Sequence, residues 1–511
     1  MRVISRVHSF VLQGIDARPC EIEADISPVG LPKTTVVGLP DAAVKESIER
    51  VRTALLNSGF RYPQSRITIN LAPADVRKEG PVYDLPMAVA LLLASGTIEP
   101  SADGTRPRSE DYLIAGELAL DGRVRRIKGT ISLALLAKQR GVKGVMVPQA
   151  NAAEAAAVDG IDVLGVESLG QVVGIFNGQC AAVPHPTVDI ESMIAETTVE
   201  VDFADVRGQE AAKRAVTIAA AGGHNVLMIG PAGTGKTMMA KALSGVLPPL
   251  SRDEALEVTR IYSSAGLLPA DQPLMTRRPV RSPHHTASSP AIIGGGTIPR
   301  PGDVSLAHRG VLFLDEMPEF ARDVLETLRQ PLEDGCVTVA RSHASVRFPA
   351  RFMLVGALNP TPKGNMAMDE LSQRAMEKYL SRLSSPLIDR IDIHIEVPSV
   401  PYRQLASKER GTSTAEIRSV VAKARSGQAS RQGPQLTNAE LSGKMLDKHA
   451  SLDEPAQTLL GQAMTELKLS ARGYDKIRRV ARTIADLENC EAVQSHHVAE
   501  AVQYRLLDRM I

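Results

Sequence analysis

Between Arg66 and Leu71 the chain reads "RITINL". Ile67, Ile69 and Leu71 alternate with Arg66, Thr68 and Asn70, the two-residue period of a strand with one buried face. Just before it, "DAAVKESIERVRTALLNSG" carries Val44, Ile48, Val51 and Leu55 at helical spacing. Asp41 is placed to cap that helix and Gly59 to end it. The stretch Asp75 to Ala94, "DVRKEGPVYDLPMAVALLLA", predicts a strand end, a Gly-Pro turn and a buried helix. Further on, "LIAGELALDGRVRRI" has a hairpin turn at Asp121-Gly122. "ISLALLAKQRG" predicts a helix closed by Gly141, and "GVMVP" a buried strand. Residues 1–180 therefore read as one α/β unit.

The pattern breaks over 181–200, where two prolines in a mixed polar run predict a linker. From 201 to 401 strand-like and helix-like segments alternate, as in an α/β domain with a parallel sheet. From 402 to 511 strand signals vanish, and "TAEIRSVVAKARSGQ" and "YDKIRRVARTIADLEN" predict an all-helical domain.

At 511 residues the chain has room for about three domains. With 43% hydrophobic and 23% charged residues, its composition is that of a soluble globular protein. A net charge of +1 means that any nucleic-acid surface must be local. Cys20, Cys180, Cys336 and Cys490 are too scattered for a zinc pair or a disulfide framework. Apolar runs such as "MAVALLLA" fall short of the ~20 residues that cross a bilayer, and the first residues lack the features of a signal peptide. The expected location is cytoplasmic.

The strongest chemical signal is "NVLMIGPAGTGKTMMAKAL". Gly230, Gly235, Lys236 and Thr237 fit the phosphate-binding pattern G-x-x-x-x-G-K-[ST], with an apolar strand before and a helix after. The whole loop, Gly230, Pro231, Ala232, Gly233, Thr234, Gly235, Lys236 and Thr237, is expected to cradle the phosphates of ATP. Lys236 can reach the β- and γ-phosphates, and Thr237 can ligate Mg²⁺. In "GVLFLDEMPEF" a buried strand delivers two acids. Asp315 is the second expected Mg²⁺ ligand, and Glu316 is placed to polarise an attacking water. "FMLVGALN" ends in Asn359, which can orient that water; read alone, it is equally a strand-exit residue. In "SRLSSPLIDRIDIHIEV", Arg390 can serve the γ-phosphate of a neighbouring subunit, or sit salt-bridged on a surface turn.

P-loop, acid pair, Asn, Arg and helical domain together resemble an AAA+ ATPase. "RSPHHTASSPAIIGGGTIPRPGDVSLAHRGVLFLDEMPEF" and "LSARGYDKIRRVARTIADLE" narrow this to the YifB/ComM family of magnesium-chelatase-like ATPases. The resemblance covers essentially the whole chain. It implies a hexameric ring with ATP between subunits, an insertion at about 275–305, and a hairpin in "GCVTVARSHASVRFPARF". Val337 and Val339 on one arm, with Val346 and Phe348 on the other, support that hairpin independently. By the resemblance, its tip residues Arg341 and His343 contact DNA in the pore; otherwise the tip is a solvated charged turn. His284 and His285 lack a Cys or third His to complete a metal site. Arg472 matches the position at which an Arg contacts the γ-phosphate, although Arg478, Arg479 and Arg482 crowd the same helix. Relatives often carry a cysteine-rich loop after the Asn; here "NPTPKGNMAMDELSQRAMEKY" has no cysteine, so a metal at that loop is not expected.

The first 180 residues resemble the Lon-protease domain, a ribosomal S5 domain 2-like fold. Val82 follows Gly80-Pro81 where that domain has its nucleophilic Ser, and Leu133 stands where it has its Lys. A Ser–Lys dyad needs a hydroxyl and an amine, so no peptidase chemistry is expected even with Lys78 and Lys128 nearby. The function implied is an ATP-driven DNA motor acting on single-stranded or branched DNA, with branch migration during natural transformation. The alternative is a chelatase motor subunit acting on a protein partner.

Overall fold

A computed structural model describes residues 4–29, 31–99, 106–196, 201–296, 299–341, 344–359, 382–402, 411–434, 436–467 and 469–505. Ile67, Ile69 and Leu71 are buried along strand Arg66–Ala72, as the alternation requires. That strand is second in a seven-stranded mixed sheet. The order is Lys33–Val37, Arg66–Ala72, Asp16–Ser27, Ile4–Gln13, Tyr112–Ile114, Gly144–Pro148 and Asp162–Val166. The two pairings made by Asp16–Ser27 are antiparallel, and those at the flanks are parallel.

Local chemistry places the helices on this sheet. The Asp41 carboxylate accepts from the Val44 N–H at 2.7 Å and caps helix Ala42–Asn57. Helix Asp84–Ala94 is apolar on all sides and buried over most of its length. Its one acid, Asp84, is fully buried and accepts from Arg50 Nε at 2.9 Å. Gly122 turns the short hairpin Glu117–Leu118 with Val124–Arg125, and Gly141 ends helix Thr130–Arg140 in the left-handed region.

The chain forms two compact units. One comprises Met1–Ile194 and Ser251–Thr276, the other Ala195–Leu250 and Arg277–Ile511. The first thus includes a segment far downstream, helix Arg252–Ala265 with the residues that follow it. Nothing in the hydrophobic pattern marks that return.

The second unit is built on a five-stranded parallel sheet. Its order is Val280–Arg281, Val311–Leu314, Met353–Leu358, Val226–Ile229 and Ile393–Glu396. The three central strands are buried throughout, as continuous apolar runs in parallel sheets usually are. Helices Glu210–Gly222 and Lys236–Val246 share a core with Thr414–Gln432 and Ala471–Leu487. The helical end of the chain therefore packs as part of this unit. The predicted hairpin pairs Cys336–Arg341 with Ala344–Pro349; Val337 faces Phe348 and Val339 faces Val346, all buried. Arg341 ends the first arm, whereas Ser342 and His343 lie outside the described residues, as does 360–381. Among the described residues no helix is long and apolar enough to cross a membrane.

Candidate nucleotide site

Parallel pairing fixes what gathers at each edge of the second sheet. Ile229 lies beside Leu358, and Leu314 beside Gly356. The residues that leave these strands, from Gly230, from Asp315 and from Asn359, therefore emerge at one edge. The Gly230 N–H donates to the Leu358 carbonyl at 3.1 Å. A Cβ at Gly230 would stand 2.0 Å from the Val397 carbonyl oxygen, so only glycine permits this approach. Gly233 and Gly235 turn the loop with φ of 78° and 88°.

Lys236 opens helix Lys236–Val246 and is nearly buried. Its ammonium donates to the carbonyls of Gly230 at 2.6 Å and Pro231 at 2.8 Å, and to Asn359 Oδ1 at 3.2 Å. Burial lowers its pKa, while the charges of Asp315 and Glu316 oppose that shift. The Thr237 hydroxyl donates to Asp315 Oδ2 at 3.1 Å. This pair of hard oxygen donors has the chemistry that Mg²⁺ takes. Thr234 Oγ1 donates to the Pro231 carbonyl at 3.0 Å and braces the loop.

Glu316 follows Asp315 in the left-handed conformation, φ 49°. Its N–H donates to Asp315 Oδ1 at 3.0 Å, and its carboxylate lies 3.9 Å from His285 Nδ1. A glutamate with positive φ is uncommon, and strained backbone of this kind clusters at functional sites. Gln209 is also left-handed, φ 60°. Its amide donates to the carbonyls of Pro398 at 2.6 Å and Thr234 at 3.4 Å, tying the start of helix Glu210–Gly222 to the phosphate loop. Neither His285 beside Glu316 nor Gln209 beside the loop follows from sequence reasoning; a glycine–glutamine pair just before a helix was the only local trace of the second.

Arg390 and Arg472 lie elsewhere. Ile393 pairs with Val226 and Glu396 with Ile229, so Arg390 precedes its strand at the edge opposite the phosphate loop. Four strand residues separate the two edges, roughly 13 Å. The Arg390 guanidinium is paired with Glu333 of the same chain and is only 12% exposed. Asn225 holds this turn by donating to the Arg390 carbonyl at 2.9 Å. Arg472 is 67% exposed, with Nη1 3.8 Å from Asp389 Oδ2. The structure thus brings Lys236, Thr237, Asp315, Glu316 and Asn359 together at one edge, and Arg390 and Arg472 together at the other.

In the N-terminal unit, Leu133 is fully buried and Val82 packs against the core. Lys78 is also buried, and its ammonium donates to the Pro73 carbonyl. Glu488, Cys490 and His497 have ligand atoms within 4.8 Å of one another. His497 Nδ1, however, accepts the Gln494 N–H at 2.9 Å, so the proton sits on Nε2, which meets Glu488 at 3.1 Å. That ring has no lone pair left for a metal, and the cluster is a helix cap.

Three family descriptions match the chain. "Magnesium chelatase, subunit ChlI" matches residues 202–405, "Subunit ChlI of Mg-chelatase" residues 22–151, and "Magnesium chelatase, subunit ChlI C-terminal" residues 411–505. Protein YifB of Salmonella typhimurium is 44% identical over 512 residues, 99% of this chain and 97% of that protein. Competence protein ComM of Haemophilus influenzae is 42% identical over 512 residues, 99% of this chain and 98% of that protein. The magnesium-chelatase 38 kDa subunit of Rhodobacter capsulatus is 26% identical over 338 residues, 62% of this chain and 89% of that subunit. The chain belongs to the YifB/ComM family, with magnesium-chelatase ChlI-type domains, a AAA ATPase core among them, across nearly its full length.

Proposed function

We propose that the chain is an ATP hydrolase that works as a hexameric ring of copies and drives DNA through or around it. The observation that carries this reading is the division of the site between two sheet edges. Lys236, Thr237, Asp315, Glu316 and Asn359 would hold ATP with Mg²⁺ and deliver water. Arg390 and Arg472 stand at the far edge, where they can serve only a neighbour's nucleotide. In this reading Lys236 neutralises phosphate charge, Thr237 and Asp315 hold Mg²⁺, and Glu316 takes the proton of the attacking water. Arg390 must leave Glu333 to reach the neighbour's γ-phosphate, so hydrolysis awaits assembly.

DNA is the proposed track because Cys336–Arg341 pairs with Ala344–Pro349 in a hairpin whose first arm ends at Arg341, and because one relative is a competence protein. Branch migration in recombination during natural transformation is the activity that fits both. The N-terminal unit is then a Lon-like scaffold whose dyad positions hold Val82 and Leu133. ATPase rate with and without branched DNA tests the reading. Stimulation that falls steeply with salt supports it, since phosphate contacts dominate such binding. A rate indifferent to DNA at low salt would refute the motor. The family descriptions favour one second reading, a chelatase motor subunit. Stimulation by a chelatase partner instead of DNA would select it.

A further inference from the structure

Helix Arg252–Ala265 leaves the ATPase unit and is gripped by the N-terminal unit. The grip is a buried polar knot. Ser263 Oγ donates to Glu154 Oε1 at 2.5 Å and accepts the Gly129 N–H at 2.9 Å. Glu154 also accepts from the Ile131 N–H at 2.9 Å and from Asn151 Nδ2 at 3.0 Å. Asn151 in turn exchanges two hydrogen bonds with the Ile127 backbone. Ser263, Glu154 and Asn151 are each at most 3% exposed. Buried groups with every partner in place specify one arrangement, and a lost partner is expensive. Around the knot lie two ion pairs, Arg252 with Asp159 and Arg260 with Asp16, and Arg126 donates to the Pro269 carbonyl at 3.3 Å.

The two ends of this excursion are fastened to the ATPase unit by a single side chain. Arg278 donates to the carbonyls of Pro248 at 2.6 Å, Pro249 at 3.3 Å and Arg309 at 2.6 Å. Pro248 and Pro249 follow the helix that begins with Lys236, and Arg309 precedes strand Val311–Leu314, which leads to Asp315. Beyond Arg278 the chain enters Val280–Arg281, which pairs with that same strand, and then reaches His285 beside Glu316.

We propose that Ser251–Thr276 is a coupling strap: held near its middle by Ser263 against Glu154 and Gly129, and with its two ends stapled by Arg278, it passes nucleotide-dependent movement of the phosphate-loop helix and the acid-bearing strand to the N-terminal unit. This rests on the ATPase reading above. The backbone groups of Ile127, Gly129 and Ile131 in this knot belong to the Ile127–Leu133 stretch, where the resemblance places the protease lysine. That part of the scaffold has been turned from chemistry to attachment.

Hydrogen exchange on the full-length protein, with and without Mg²⁺ and a non-hydrolysable ATP analogue, tests the strap. The analogue slows exchange in the phosphate loop and shifts exchange by about threefold or more in peptides covering 127–131 and 252–266. The surface double variant Asp16→Arg/Asp159→Arg opposes Arg260 and Arg252 without touching the core. It keeps the loop protection and loses the response at 127–131, and Ser263→Val does the same. A protected loop with no wild-type response at 127–131 overturns the strap and leaves the ATPase reading standing. An unchanged response in both variants also overturns it. A loop that the analogue does not protect removes the ATPase reading and the strap together.

Discussion

Glu316 is the residue at which backbone and chemistry conflict most openly. Its φ of 49° costs of order 1–3 kcal/mol for a side-chain-bearing residue, and glycine removes that cost. Glu316→Gly is therefore expected to unfold at a slightly higher temperature than wild type while losing ATP hydrolysis. Calorimetry beside a phosphate-release assay checks both halves; a less stable variant would contradict the strain. Lys236→Ala is expected to abolish nucleotide binding, whereas Glu316→Gln binds ATP and does not hydrolyse it. A fluorescent nucleotide titration separates the two. The cysteines give a control on burial. Cys20 is buried, and burial pushes its thiol up to about 12, whereas Cys180 is exposed. A maleimide at pH 8 should label Cys180 within minutes and Cys20 only after unfolding; early labelling of Cys20 would mean a looser N-terminal core. The phosphate loop and the acid pair were legible because glycine spacing and an apolar strand are local signals. Gln209 and His285 were not, because tertiary packing alone brings them to the site.

At the scale of elements, the strand that follows Arg390 is locked to the helical end of the chain by buried charge. Asp392 accepts from His224 at 3.3 Å and lies 3.8 Å from Lys476, and His224 also meets Thr483 at 2.8 Å. Burial alone would raise the Asp392 carboxyl, but the His224 hydrogen bond and the Lys476 charge outweigh it and hold the pKa well below the usual range. A folded-state pKa below the unfolded value of ~3.9 means a contribution that is complete above that value. It is lost as pH falls below ~4 toward the folded pKa. Asp392→Asn should cost roughly 3–5 kcal/mol at neutral pH, because Lys476 stays buried beside a neutral amide. It should also flatten the acid limb of the stability curve. Denaturant unfolding at pH 7 and at pH 3.5 checks the sign: a variant penalty as large at pH 3.5 as at pH 7 would contradict it. Most elements could be read from period and caps, Asp41 and Gly141 among them. The network around Asp392 could not, since its members come from three distant stretches.

At the scale of the molecule, strand direction decides which residues the chain gathers at one edge. A parallel sheet sends Gly230, Asp315 and Asn359 to one edge and leaves Arg390 at the other. The three-part plan of α/β unit, ATPase core and helical end could be drawn from hydrophobic pattern. The return of Ser251–Thr276 to the first unit could not, because its contacts are with residues more than ninety positions away. The most direct measurement mixes two variants. Glu316→Gln keeps Arg390, and Arg390→Ala keeps Glu316; each alone should lose roughly 10³-fold or more of the ATPase rate. If the site is shared between copies, mixing them before adding Mg²⁺ and ATP restores a substantial part of the activity, at interfaces that combine one variant's Glu316 with the other's Arg390. A mixture no more active than the sum of its parts would contradict the account.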